Sequence, residues 1–135
     1  MVLDTNVLIS GLLNPFGTPG KIIRLIGSPD LTLCVDAHIL AEYEEVMKRP
    51  RFQISPKMID ELMESIRLAS EIHPPCHLKI DLPDEEDTPF LAVAIASRAE
   101  FLITGNIRHF PKTHRQGVNV VTPAEFIMLS SKPGK

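Results

Sequence analysis

Three carboxylates, Asp4, Glu42 and Asp87, sit where the local pattern puts them near one edge of a parallel sheet. The first follows the apolar run Val2-Leu3 and precedes Thr5-Asn6-Val7-Leu8-Ile9, a short strand running directly into a helix. In open α/β sheets, ligand chemistry collects outside the carboxyl ends of the strands. Two unpaired carboxylates about 4 Å apart repel by about 4 kcal/mol at an effective dielectric of about 20. Three converging acids therefore call for a cation or for protons. Oxygen-only ligands with open positions suit Mg2+ or Mn2+. Such an ion activates water for attack at phosphorus, the chemistry of a phosphodiester hydrolase.

Each acid also has a structural alternative. Asp4 can cap the helix that starts at Thr5 or Asn6. Glu42 lies on one shoulder of the apolar stripe Ile39, Leu40, Tyr43, Val46 and Met47, and Glu44 lies on the other, so periodicity does not choose between them. Asp87 ends the run Asp84-Glu85-Glu86-Asp87, and acids are favoured at a helix start by the dipole and the free N–H groups. Four in a row exceed what a cap needs. Further on, Thr104-Gly105-Asn106 ends an apolar strand. Asn106 could hydrogen-bond a metal water or ligate weakly, or it could serve the turn. Asn6 could orient a carboxylate. Arg108, Lys112 and Arg115 follow the same strand end and could grip phosphates.

The elements that position these residues alternate between short strands and longer helices, which predicts an α/β fold with helices on both faces of a parallel sheet. Strands are expected near residues 1–4, 31–35, 101–104 and 118–121, with a total of four or five. Thr18 followed by Pro19 predicts a helix start, and Gly27-Ser28-Pro29 its end. Asp36, Ser55-Pro56 and Thr122-Pro123 predict three further starts. The helix from Thr88 to Ala99 is apolar nearly all round and should be buried on most sides.

The chain has 135 residues, enough for one domain with its own core, and 44% of them are hydrophobic. No apolar run approaches the ~20 residues of a membrane helix. No basic segment precedes the first apolar stretch, which predicts a cytoplasmic protein without a signal peptide. The net charge of −3 does not advertise a nucleic-acid binder, but Lys48-Arg49-Pro50-Arg51 and the stretch from Arg108 to Arg115 cluster positive charge. Cys34 and Cys76 read as reduced thiols. His73, Cys76 and His77 form a tight group with no second cluster to complete a tetrahedral zinc site.

Taken in order, these segments resemble the PIN-domain family of metal-dependent nucleases over nearly the whole chain. Val2-Leu3-Asp4-Thr5-Asn6-Val7-Leu8-Ile9-Ser10 is similar to the family's opening. Leu40-Ala41-Glu42-Tyr43 through Arg49-Pro50-Arg51-Phe52 resembles the segment of its second acid. Asp87-Thr88-Pro89-Phe90-Leu91-Ala92-Val93-Ala94 resembles that of its third, and Phe101-Leu102-Ile103-Thr104-Gly105-Asn106 the strand leading to a fourth acid in many members.

The resemblance selects Glu42 over Glu44 and Asp87 from its run. It implies a three-layer α/β/α sandwich with four or five parallel strands, a single PIN-like domain over residues 1–130, and a flexible tail at 131–135. It also implies Mg2+ or Mn2+ held by Asp4, Glu42 and Asp87. Where many members carry an acid after Thr-Gly, this chain has Asn106, and three residues on, where relatives often place Asp, it has His109. The closing Val120-Val121-Thr122-Pro123-Ala124-Glu125-Phe126 is similar to a branch described as toxin components of toxin–antitoxin pairs. The expected activity is endoribonuclease cleavage of single-stranded or structured RNA, with an antitoxin partner and a homodimer. Two other readings compete. One is a PIN-like module that binds RNA or a partner without cutting. The other is a phosphatase with Asp4 as nucleophile, which would want a second Asp where Asn6 stands.

Overall fold

The structure, a computed structural model, describes residues 1–26, 28, 31–75 and 81–130. The expected tail at 131–135, Cys76 and His77, and the Gly27 and Pro29 of the expected helix stop lie outside the described residues.

Five strands are present among the described residues: β1 (Val2–Leu3), β2 (Leu33–Val35), β3 (Ser70–Ile72), β4 (Phe101–Ile103) and β5 (Asn119–Val121). Every pairing is parallel. The ladders form a three-stranded sheet in the order β1-β4-β5 and a two-stranded one of β2 and β3, rather than one continuous sheet of four or five. Two hydrogen bonds join them: the Met1 amine donates to the Thr32 carbonyl at 2.6 Å, and the Cys34 N–H donates to the Met1 carbonyl at 2.7 Å. The strands thus follow one another as 3-2-1-4-5. The sequence offers no sign of β3, because Ser70-Glu71-Ile72 is short, polar and half-exposed or exposed. It becomes a strand only because β2 supplies the ladder.

Among the described residues, six helices connect or flank the strands: α1 (Thr5–Leu13), α2 (Thr18–Leu25), α3 (Ala37–Met47), α4 (Pro56–Ala69), α5 (Thr88–Ala96) and α6 (Pro123–Ser130). Their starts follow local chemistry. Asp36 Oδ1 accepts from the Ile39 N–H at 2.8 Å, and Ser55 Oγ from the Met58 N–H at 3.1 Å. Thr122 and Glu125 form a reciprocal capping box at 3.1 and 2.9 Å. At α2 the capping position is Gly17, and the expected Thr18 is the first helical residue. Helix α5 ends at Ala96, before the expected Ala99, where Arg98 takes a positive φ of 55°.

Packing is apolar on both sides of the sheet. Phe101 of β4 meets Phe126 of α6 edge-on, with ring centroids 5.4 Å apart. Side chains alternate across a strand, so the fully buried Leu102 faces the other layer, where α5 packs on β1, β2 and β4. Tyr43 of α3 lies 6.4 Å from Phe90 of α5, and its hydroxyl donates to the Leu3 carbonyl at 2.5 Å. That bond fixes α3 against the last residue of β1, one position before Asp4. Helices α1 and α2 pack together, and the turn between them folds back so closely that a Cβ on Gly20 would lie 2.1 Å from the Pro15 carbonyl oxygen. No helix among the described residues is long and apolar enough to cross a membrane.

Candidate metal centre

Parallel register carries the first acid to its neighbour. Leu3 pairs with Ile103, so the next residues along, Asp4 and Thr104, meet just beyond the ladder. The Asp4 N–H donates to the Ile103 carbonyl at 2.9 Å, and Thr104 Oγ1 donates to Asp4 Oδ2 at 2.6 Å. Asp4 occupies the capping position of α1, yet its side chain makes no capping hydrogen bond. Asp87 likewise stands at the start of α5 without capping it. Asp36 does cap its helix, which shows what the same residue type does when it has only local work. Asp4 and Asp87 are buried, and both are turned into a cleft.

Helix α3 brings in the second acid. Glu44 pairs with Lys48 at 2.8 Å and Arg67 at 3.7 Å on the outer surface. Glu42, two residues earlier, accepts the Thr5 hydroxyl and lines the cleft. The ambiguity left by periodicity is resolved by placement, since Tyr43 between them is locked to Leu3.

The cleft encloses about 430 Å3 and is lined by Asp4, Glu42, Glu45, Asp84, Glu86 and Asp87, with Asn6, His38, Arg49 and His109 also on its walls. Six carboxylates therefore face one arginine and two histidines. Burial pushes the Asp4 carboxyl above its ordinary value, against the Thr104 hydrogen bond, the nearby amides of Thr5 and Asn6, and the His109 ring. Burial also raises Glu42, with Asp4, Glu86 and Glu45 adding to the shift and Thr5 opposing it. Asp87 is pushed up to about 6 by burial and then by Asp4 and Asp84, with His109 opposing. Like charges crowded in a half-buried cleft are the condition a dication relieves, and the donor set of carboxylate oxygens fits a hard divalent ion.

Each acid is held by its own donor: Asp4 by Thr104, Glu42 by Thr5, and Asp87 by His109, whose Nδ1 is 2.9 Å from Asp87 Oδ2. Among the described residues, Asp84, Asp87 and His109 form a potential ligand set at this edge, with ligand atoms all within 4.8 Å of one another. Asp4 and Glu42 share the cleft with that set but do not belong to it.

The other expected residues divide. Asn6 is exposed at the cleft wall. Thr104 is fully buried with its hydroxyl on Asp4, so it positions a carboxylate and presents no surface to a substrate. Asn106 stands outside the acidic cleft. Its N–H donates to Thr104 Oγ1 at 3.0 Å, and with Arg108 it lines an adjoining hollow of about 470 Å3. The 3-10 turn Ile107–His109 then brings His109 back to the wall shared by both. Lys112 is exposed in the next 3-10 turn, and Arg115 donates through Nε to the Phe110 carbonyl at 2.8 Å; neither lines the acidic cleft. Thr5, His38, Arg49 and His109 were not legible as cleft residues. Arg49 gave only the weak signal of a charged cluster, and His109 only that of a position where relatives place Asp.

The described residues form an α/β fold with parallel strands and an acid-lined cleft at the carboxyl edge of the sheet. A model of the PIN domain matches residues 1–108. An uncharacterized protein of Methanocaldococcus jannaschii is 30% identical over 139 residues, spanning 94% of this chain and 88% of the relative. The chain belongs to the PIN-domain family. PIN domains are generally nucleases and typically bind a divalent metal.

Proposed function

We propose that this chain is a Mg2+- or Mn2+-dependent endoribonuclease that cleaves single-stranded or structured RNA in the cytoplasm. We further propose that it is the toxin of a toxin–antitoxin pair and acts as a homodimer. One observation carries the catalytic reading: acids from three distant segments, Asp4, Glu42 and Asp87, line one cleft, and burial there raises the pKa of all three, with neighbouring acids adding to the rise at Glu42 and Asp87. These residues would hold the ion, which neutralises their charge and activates water for attack on a phosphodiester.

The chain's own residues do the remainder. Thr104 and Thr5 keep Asp4 and Glu42 turned into the cleft. Arg49 on one wall and Arg108 in the adjoining hollow flank the acids and can hold the phosphates on either side of the bond to be cut. Asn6 offers an amide at the cleft wall. Dimer and antitoxin are expectations from the family resemblance of the closing segment.

The test is cleavage of end-labelled single-stranded RNA with Mn2+, Mg2+ or a chelator, comparing the unmodified chain with Asp4→Asn and Asp87→Asn. Metal-dependent cleavage lost in both variants supports the reading. Equal, chelator-insensitive background in all three sinks it. For the toxin role, growth arrest on expression should be relieved by Asp4→Asn and by co-expression of the product of an adjacent small reading frame.

A second reading is a PIN-like module that binds RNA or a partner without cutting. It is favoured by Asn106 lying outside the acidic cleft while His109, not an acid, contacts Asp87. Calorimetry with Mn2+ separates the two: no heat of binding at millimolar ion would favour the module.

A further inference from the structure

A second cluster of metal-ligand type lies away from the acidic cleft, on the β2–β3 ladder. Cys34 of β2 and Glu71 of β3 are register partners, and in a parallel ladder paired side chains leave the same face. His73 is two residues beyond Glu71 and returns to that face by the period of two, with its N–H held by the Val35 carbonyl at 2.8 Å. One ligand atom from each of Cys34, Glu71 and His73 falls within 4.8 Å of the others. The opposite face carries Leu33 and Val35, both fully buried, while the trio runs from Cys34 at the edge of the core to the exposed Glu71.

The contact inside the trio is unusual for an ion pair. His73 Nε2 lies 2.7 Å from Glu71 Oε1, yet the nitrogen is buried and has no partner with hydrogen-bond geometry. Two ligand atoms are set side by side without being aimed at each other. Cys34 is buried and unbridged, while Glu71 is 59% exposed, so an ion could reach the trio from solvent.

We propose that Cys34, Glu71 and His73 form a binding site for a borderline divalent cation of the Zn2+ type. Sulfur, imidazole nitrogen and a carboxylate oxygen are the donors that favour zinc over Mg2+ or Mn2+, so this site and the all-oxygen cleft select different ions. Metal–ligand bonds of about 2.0–2.3 Å place neighbouring ligand atoms roughly 3–4 Å apart, within the span observed. The sulfur binds as thiolate, and its proton passes to solvent. The bound ion cross-links β3, a three-residue strand paired with β2, to that strand.

The test is a Co2+ titration of the whole chain followed by absorption. It is done in the Asp4→Asn, Asp87→Asn background, so that the acidic cleft and any nuclease activity play no part. The expected result is a thiolate-to-cobalt charge-transfer band that saturates near one equivalent, is displaced by Zn2+, and is lost in Cys34→Ser. Glu71→Gln and His73→Ala, at more exposed positions, should each weaken binding about tenfold or more and keep the folded circular dichroism spectrum. Zn2+ at a hundredfold excess over Kd should raise Tm by about 5–10 °C, and the same Zn2+ concentration should give about half that rise or less in His73→Ala. No band at saturating Co2+, a band that survives Cys34→Ser, or unchanged affinity in both Glu71→Gln and His73→Ala overturns the proposal.

Discussion

His109 Nδ1 stands 2.9 Å from Asp87 Oδ2, joining the turn after β4 to the start of α5 on the wall of the acidic cleft. An imidazole thus opposes the rise in the Asp87 pKa that burial and the neighbouring acids impose. Asn106, the residue after Thr-Gly, is turned into the adjoining hollow.

Replacing His109 by an acid should change ion affinity more than fold. His109→Asp adds a hard oxygen beside Asp84 and Asp87, and affinity for hard cations grows with ligand charge. Calorimetry should show Mn2+ binding about tenfold tighter than in the unmodified chain. An unchanged Kd would mean that position 109 does not face the ion.

Thr104→Val is nearly isosteric and removes the donor to Asp4 Oδ2. A lost partner that orients a ligand costs about 10–100-fold in metal affinity. Manganese titration should show that weakening, and urea unfolding should show a loss of about 1–2 kcal/mol. Unaltered metal affinity would reduce Thr104 to a structural role.

The acidic cleft should give the metal-free chain an inverted pH profile. Asp87 rises from 3.8 to about 6 on folding, and Asp4 and Glu42 move the same way. A carboxyl raised in the folded state binds more protons folded than unfolded between its two values. The stability it contributes is complete below about pH 4 and is lost as pH rises through about 6. For Asp87, after discounting for solvent at the cleft, the change is on the order of 2 kcal/mol. Urea midpoints with chelator present should fall across this interval, and saturating Mn2+ should remove or reverse the slope above pH 6. A midpoint that rises from pH 4 to 6 with chelator would contradict the raised carboxyls.

Gly20→Ala should be among the costliest small substitutions. The added Cβ would lie 2.1 Å from the Pro15 carbonyl oxygen, a backbone atom that cannot swing aside. Pushing α2 off the turn that precedes it should cost about 2–4 kcal/mol, read as a lower urea midpoint. Gly11→Ala meets the movable Ile23 side chain at 2.4 Å and the Pro19 carbonyl oxygen at 2.9 Å, and should cost less. Equal costs would show that the helices yield at both points.

The sequence by itself determined what repeats or caps locally. Alternating apolar runs marked four of the strands and all six helices, and Asp36, Ser55 and Thr122 announced starts that the hydrogen bonds show. Asp4 was legible as an acid at a readable strand-to-helix boundary, whereas Asp87 was chosen from its acidic run only by resemblance to the PIN family. Tertiary structure alone decided that Asp4 and Asp87 leave their caps, that Glu42 enters the cleft while Glu44 pairs on the surface, and that His109 enters where Asn106 does not. It also made a strand of Ser70-Glu71-Ile72 and set Cys34 beside it. The physical reason is range. Periodicity and capping act over three or four residues, whereas Thr104 reaches Asp4 across 100 residues through parallel register, which exists only once the sheet has formed.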